Sequence, residues 1–160
     1  MIFISGGQTG ADQAGLYAAY DKGIRTSGYA PAGFMTLTGT NYILRDKFGL
    51  ISSQGGYKYR TWLNVENSDC TLRFAYDFNS SGEKCTLSAI KHYDRPHFDI
   101  SLHYPITKMI IKEIGNWIIK NNFRTINIAG NTQKEYDVYT PVYNAICDLI
   151  DYLRNEEYIK

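Results

Sequence analysis

Charge of one sign, paired cysteines and long apolar runs are all scarce in this sequence. Lysine and arginine total 17 against 16 aspartate and glutamate, a net charge of +1, too little for a field that captures nucleic acid or an acidic membrane surface. Neither partner is expected. No apolar run approaches the ~18 residues of a membrane span, and the opening Met1-Ile2-Phe3-Ile4-Ser5 lacks the basic segment and apolar stretch of a secretory signal. A cytoplasmic location is expected. The three cysteines, Cys70, Cys85 and Cys147, form no CxxC pair, which suits neither a disulfide framework nor a zinc site. His92, His97 and His103 lack metal-ligand spacing and read as packing or surface residues, so no metal site is expected. No serine sits in a GxSxG elbow and no cysteine has an evident histidine partner, which leaves nucleophilic hydrolysis without support.

What is present fits one globular domain over residues 1–160, with 44% hydrophobic and 21% charged residues. The surplus is in tyrosine, 14 residues beside 7 Phe and 2 Trp, and a Tyr ring with its polar tip suits either a core or a binding surface. Short apolar runs alternate with segments of helical period, the pattern of an α/β domain with a mainly parallel sheet of about five strands flanked by helices. The strands read as Ile2 to Ile4, Arg25 to Ala30, Cys70 to Ala75, His97 to Leu102 and Thr125 to Ala129. Helices read from Asp12 to Lys22, Tyr57 to Asn67, Glu83 to His92 with Ser80 or Ser81 as cap, and Ile106 to Asn121. Val142, Ile146, Leu149, Ile150 and Leu153 mark a closing helix. Pro31 to Gly56, rich in Gly and Thr, yields only a short strand near Leu50 to Ser52.

In an open parallel sheet the ligand crevice lies outside the carboxyl ends of the strands. Three turns there carry usable chemistry. Gly6, Gly7 and Gly10 around Gln8 and Thr9 remove Cβ atoms and permit a nest of N–H groups at a helix start, which favours an anion. The spacing is neither GxxxxGK[ST] nor GxGxxG, and a ligand-free strand-to-helix turn is the plain alternative. Asp12 either caps that helix or meets ribose hydroxyls or a cation. Arg60 has the planar fork that binds phosphate, with Asn64 one turn on along the same helix face. Its plain alternative is a surface salt bridge. Asp69 precedes a strand, belongs to the amino edge, and reads as a turn cap. Ser81, Gly82 and Thr86 repeat the helix-start logic at a second turn, and Gly130, Asn131 and Thr132 form the third.

Three segments taken together resemble one family. They are Ser5-Gly6-Gly7-Gln8-Thr9-Gly10-Ala11-Asp12, then Arg60-Thr61-Trp62-Leu63-Asn64-Val65-Glu66-Asn67-Ser68-Asp69-Cys70-Thr71-Leu72, then Ile126-Asn127-Ile128-Ala129-Gly130. The family is that of the molybdenum cofactor carriers, the circularly permuted YpsA-like branch of the SLOG superfamily, and the resemblance covers nearly the whole chain in order. It implies a Rossmann-like three-layer sandwich with a phosphate or nucleotide site at its glycine turns. Distant relatives include nucleoside-monophosphate phosphoribohydrolases and sensors of NAD-derived nucleotides, and relatives of this fold often self-associate, so a homo-oligomer is compatible. Where the family usually has a basic residue between Pro and Gly, this chain has Ala32 between Pro31 and Gly33. Its Gly-Gly-Thr-x-x-Thr turn is Ser81-Gly82-Glu83-Lys84-Cys85-Thr86 here, and Asn131-Thr132 replaces Pro-Arg. Two cationic contacts are thereby lost and Glu83 adds a negative charge, which weighs against a highly charged ligand.

The resulting expectation is a binder of a phosphorylated small molecule: a nucleotide, an NAD-derived nucleotide or molybdenum cofactor. Gly6, Gly7, Gln8, Thr9 and Gly10 cradle it and Arg60 contacts phosphate. Ser81, Gly82 and Thr86 complete the anion site, and Asp12 holds ribose or a cation. The alternative is an enzyme cleaving an N-glycosidic bond in a nucleotide, for which Asp12 and Glu83 are the candidate carboxylates. A second alternative is a ligand-free interaction module. Tyr29, Tyr42, Tyr57 and Tyr59 lie near the crevice in sequence and are candidates to stack on a base.

Overall fold

The computed structural model describes every residue from Met1 to Lys160. Short apolar runs become the central strands β1 (Ile2–Ser5), β7 (Cys70–Ala75) and β9 (Thr125–Gly130), and the more polar β2 (Arg25–Ser27) and β8 (His97–Ser101) lie at the edges. They form one sheet in the order β2-β1-β9-β7-β8, every neighbour parallel. The crossovers supply the helices α1 (Ala11–Asp21), α3 (Tyr57–Glu66), α4 (Ser81–Tyr93), α5 (Lys108–Lys120) and α6 (Tyr139–Asn155). The result is the expected Rossmann-like three-layer sandwich.

Strand parity assigns the two outer layers, because successive side chains leave opposite faces of a sheet. Leu72 and Phe74 of β7 enter the large core shared with α1, α5 and α6. Arg73, between them, points the other way and meets α4 through the Glu83 carbonyl at 3.2 Å. On that face α3 and α4 pack through Val65, Ala89 and Ile90. The small face of α1, Ala11, Ala14, Gly15, Ala18 and Ala19, is buried, so this helix lies close enough to the sheet that a Cβ on Gly15 would come within 2.7 Å of Ile128.

Two segments differ from the sequence reading. The run Arg25 to Ala30 is two strands, broken at Gly28, whose φ of +132° lets the backbone press on Ser5 where any Cβ would collide. Beyond the break, β3 (Tyr29–Ala30) leaves the main sheet and pairs in parallel with β6 (Ile51–Ser52). The Gly- and Thr-rich stretch is also more structured than expected. It holds an antiparallel hairpin of β4 (Met35–Thr36) and β5 (Gly39–Thr40), then the single-turn α2 (Ile43–Asp46). Leu16, Ala30, Phe34, Leu44, Phe48 and Leu50 give this excursion a small core of its own. At α5 the helix begins at Lys108 with Thr107 as cap, and Ile111, Ile114, Gly115 and Ile118 are its buried face. Ile106, Ile110 and Trp117 flank that face, half-buried. No helix is long and apolar enough to cross a membrane.

The tight seat of α1 yields a stability test. Gly15→Leu overpacks the contact with Ile128 and is expected to destabilise the protein by about 1–3 kcal/mol, read as a lower urea midpoint with an unchanged slope.

Candidate functional site

The turns leaving β1, β7 and β9 meet the start of α3 at the carboxyl edge of the sheet and enclose a cleft of about 730 Å³. Of the residues singled out from sequence, Gln8, Arg60, Ser81, Gly82 and Glu83 line it, as do Gly130, Asn131 and Thr132. Gly6, Gly7, Thr9, Gly10, Asp12, Asn64 and Thr86 do not.

The glycine turn contributes less to the cleft surface than its composition implies. A Cβ on Gly6 would strike the Arg60 guanidinium, one on Gly7 (φ +75°) the Leu44 side chain, and one on Gly10 (φ +94°) the backbone of Asn131 to Gln133. The missing side chains thus admit other parts of the protein. Several amides are also spent internally: Gln8 N–H donates to Asp12 Oδ2 at 3.2 Å, Thr9 N–H to Gln8 Oε1 at 3.0 Å and Ala11 N–H to the Asn131 carbonyl at 3.1 Å. Gln8 Oε1 also accepts from Leu37 N–H at 2.9 Å, fastening the β4–β5 hairpin to the turn. The protein's own Asp12 thus takes one amide at the start of α1, while the N–H groups of Gly6, Gly7 and Gly10 carry no protein hydrogen bond.

Asp12 sits behind Arg60, with Nη1 and Oδ2 3.1 Å apart, and the two side chains are 13% (Arg60) and 4% (Asp12) exposed. Burial pushes the Asp12 carboxyl up, while the guanidinium and the Gln8 amide oppose that shift. The Arg60 Nε–H is buried without a hydrogen-bond partner.

The turn before α4 behaves differently. Ser80 caps the helix, its Oγ accepting from Glu83 N–H at 3.4 Å and its carbonyl from Lys84 N–H at 3.0 Å. The N–H groups of Ser81 and Gly82, one position earlier, carry no protein hydrogen bond and belong to residues at the cleft surface. They are the orphan donors of a helix start. Thr86 Oγ1 donates back to the Gly82 carbonyl at 3.1 Å and stays within the helix.

Two asparagines expected near the ligand are spent on backbone. Asn64 closes a paired amide contact with Tyr29, accepting its N–H and donating to its carbonyl, both at 2.9 Å. Asn131 accepts from Tyr76 N–H at 2.8 Å and Asp77 N–H at 2.9 Å and donates to the Asp77 carbonyl at 3.0 Å, so it shapes the β7 turn. Asp69 caps a turn at the amino edge, accepting from Arg124 and Thr125 N–H at 2.7 and 2.8 Å. Of the four tyrosines named from sequence only Tyr57 lines the cleft. The aromatic lining is otherwise Tyr76 and Tyr136, which the sequence reading missed. Tyr76 directly follows β7, so its place at the carboxyl edge was available from topology; Tyr136 lies in the loop before α6 and carries no such signal.

The ionisable residues of the cleft wall are Lys58, Arg60 and Lys134 with Asp77, Glu83 and Glu135. Glu83 is the unusual member. Only 2% of it is exposed and its Oε2 has no hydrogen-bond partner. The nearest cation, Arg73, lies 3.5 Å away and is engaged by both carboxylate oxygens of Asp99. Burial therefore dominates and lifts the Glu83 carboxyl to about 7, partly opposed by Arg73 and reinforced by Asp12 and Asp99.

A raised acid pKa means that the folded state keeps a proton which the unfolded chain releases. The stability tied to Glu83 is then full below about 4.5, declines as pH rises to about 7, and stays low above that. Glu83→Gln should remove this decline. Thermal melts from pH 5 to pH 8 are expected to show the variant gaining roughly 1–3 kcal/mol relative to wild type across that interval; parallel profiles would contradict the assignment.

With this geometry in place, comparison with known proteins becomes informative. Residues 3–150 match the Circularly permutated YpsA SLOG family. Among solved structures, a "Putative molybdenum carrier protein" from Syntrophus aciditrophicus SB superposes with a TM-score of 0.80 at 29% identity, covering 94% of this chain and 92% of that one. No curated protein matches. The glycine turn, the helix bearing Arg60 and the turn after the last strand all fall inside the matched region, and the chain belongs to the circularly permutated YpsA SLOG family.

Proposed function

We propose that the cleft binds a phosphorylated small molecule and that the protein serves as its carrier. The observation that carries this reading is Arg60. Its guanidinium, mostly buried and held by Asp12, belongs to the cleft wall together with Ser81 and Gly82, whose amides carry no protein hydrogen bond, and a fork of donors near a helix start is the chemistry that holds a phosphate. Gly6 gives Arg60 room, and Asp12 holds it in place from behind. Asp12 is thus a positioning residue, in place of the ribose or cation contact expected from sequence. A nucleotide, an NAD-derived nucleotide and molybdenum cofactor each carry a phosphate that meets this need. The carrier named among the similar structures supports the third.

A second reading keeps the ligand and adds cleavage of its N-glycosidic bond. It is favoured by Glu83, a residue of the cleft wall whose buried carboxyl is lifted to about 7, near the working pH as a general acid requires. Asp12 lies behind Arg60 and leaves Glu83 as the sole candidate of the pair. Release of free base from a nucleoside monophosphate, lost in Glu83→Gln while binding persists, would establish the enzyme.

Two substitutions test the binding site by calorimetry against AMP, NAD and molybdenum cofactor. Arg60→Ala should weaken the bound ligand at least about tenfold. It also strands a buried Asp12, so Ser81→Pro provides the independent arm. Proline is tolerated at the first helical position and Ser80 already has the extended backbone (φ −58°, ψ 156°) that a following proline requires. Losing that single N–H should cost about 3- to 10-fold in affinity with the fold intact. Unchanged affinities in both variants would refute the site.

A further inference from the structure

We infer that Tyr136 and Tyr76 form a stacking subsite for a planar aromatic heterocycle, so that the phosphorylated ligand is a nucleotide or a pterin phosphate and neither a sugar phosphate nor a bare oxyanion. The inference rests on the phosphate-binding reading above and specifies the other end of the same molecule. A cleft of about 730 Å³ is the size that takes drug-sized ligands, and Arg60 with two amides would occupy a small part of it with a phosphate.

Among the polar residues that the turns after β7 and β9 bring to the cleft, Tyr76, Tyr136 and Val138 supply apolar and aromatic surface. Tyr76 is fixed at several points. Its N–H donates to Asn131 Oδ1, its carbonyl lies 2.8 Å from His103 Nε2, and its hydroxyl donates to the Asp137 carbonyl at 3.2 Å. The edge of His103 supports its ring at a centroid distance of 5.3 Å and an interplanar angle of 80°. Tyr136 rests on this fixed ring at 5.1 Å and 38° while remaining 61% exposed. At that separation the two rings are already in contact and leave no slot between them, so the heterocycle lies on the cleft side of the pair. An aromatic face gains from stacking with any π-system, whereas a ribose or an inorganic anion gains little there. This contact separates ligands that present the same phosphate.

The test compares phosphorylated ligands with and without an aromatic ring, AMP and GMP keeping the ribose 5-phosphate unit unchanged. Calorimetry on the full chain with ribose 5-phosphate, AMP, GMP and 6-hydroxymethylpterin phosphate should rank at least one of the three ring-bearing ligands about 5- to 150-fold tighter than ribose 5-phosphate, the contribution of one stacked base. Tyr136→Ala, at an exposed position that should leave the melting temperature unchanged, is expected to bring that ligand down to the ribose 5-phosphate level without altering ribose 5-phosphate itself. Tyr136→Phe should keep the gap. Equal affinities in the wild type, or a gap that survives Tyr136→Ala, overturn the subsite. Arg60→Ala with ribose 5-phosphate affinity unchanged overturns the phosphate reading alone and leaves the ring gap standing. A wild type that binds none of the four overturns both.

Discussion

The carboxyl edge of the sheet is organised around one buried ion pair, Asp12 with Arg60. Taking both charges out of water is costly, and removing either partner alone leaves the other uncompensated. The pair persists because Asp12 also accepts the Gln8 amide and because Gly6 offers no side chain where the guanidinium lies. Through it α3, which supplies Arg60, is joined to the first turn of α1, and the cleft acquires a cation whose remaining donors are already oriented.

Two glycine-bearing turns thus have similar sequences and different physics. At α1 a carboxylate, a glutamine side chain and a neighbouring carbonyl consume the Gln8, Thr9 and Ala11 amides and leave those of Gly6, Gly7 and Gly10 without a protein partner. At α4 the cap is satisfied by Ser80, and the next two amides are left over. The carboxylate placed beside those amides, Glu83, is kept near neutral by burial, which softens the repulsion that an ionised group would exert on a bound anion.

The sheet was legible because β7 and β9 are short apolar runs bounded by turns, and α5 and α6 because their apolar residues recur with helical period. The excursion between β3 and α3 was not, since strands of two residues have no measurable period and their pairing depends on where Gly28 sends the chain. At the site, the topology of a parallel sheet correctly brought Arg60, Ser81, Gly82 and Gly130 to the cleft. Which polar groups were already occupied could not be read in the same way. Asn64 and Asn131 have the composition of ligand contacts, yet their amides bind backbone from distant segments. The state of Glu83 likewise follows from Asp99 capturing Arg73 on a neighbouring strand.

The break at Gly28 also bears on how the molecule behaves in a crowd of its own copies. Every open sheet has two borders whose free N–H and C=O groups can template another chain. Here one border is β2, cut to three residues because the backbone turns away at Gly28. The other is β8, where exposed His97 and Asp99 stand on the strand, with Asp99 tied to Arg73. A ladder so short on one side and so charged on the other gives an incoming strand little to extend, and protection against edge-to-edge aggregation is built into the same kink that opens the excursion.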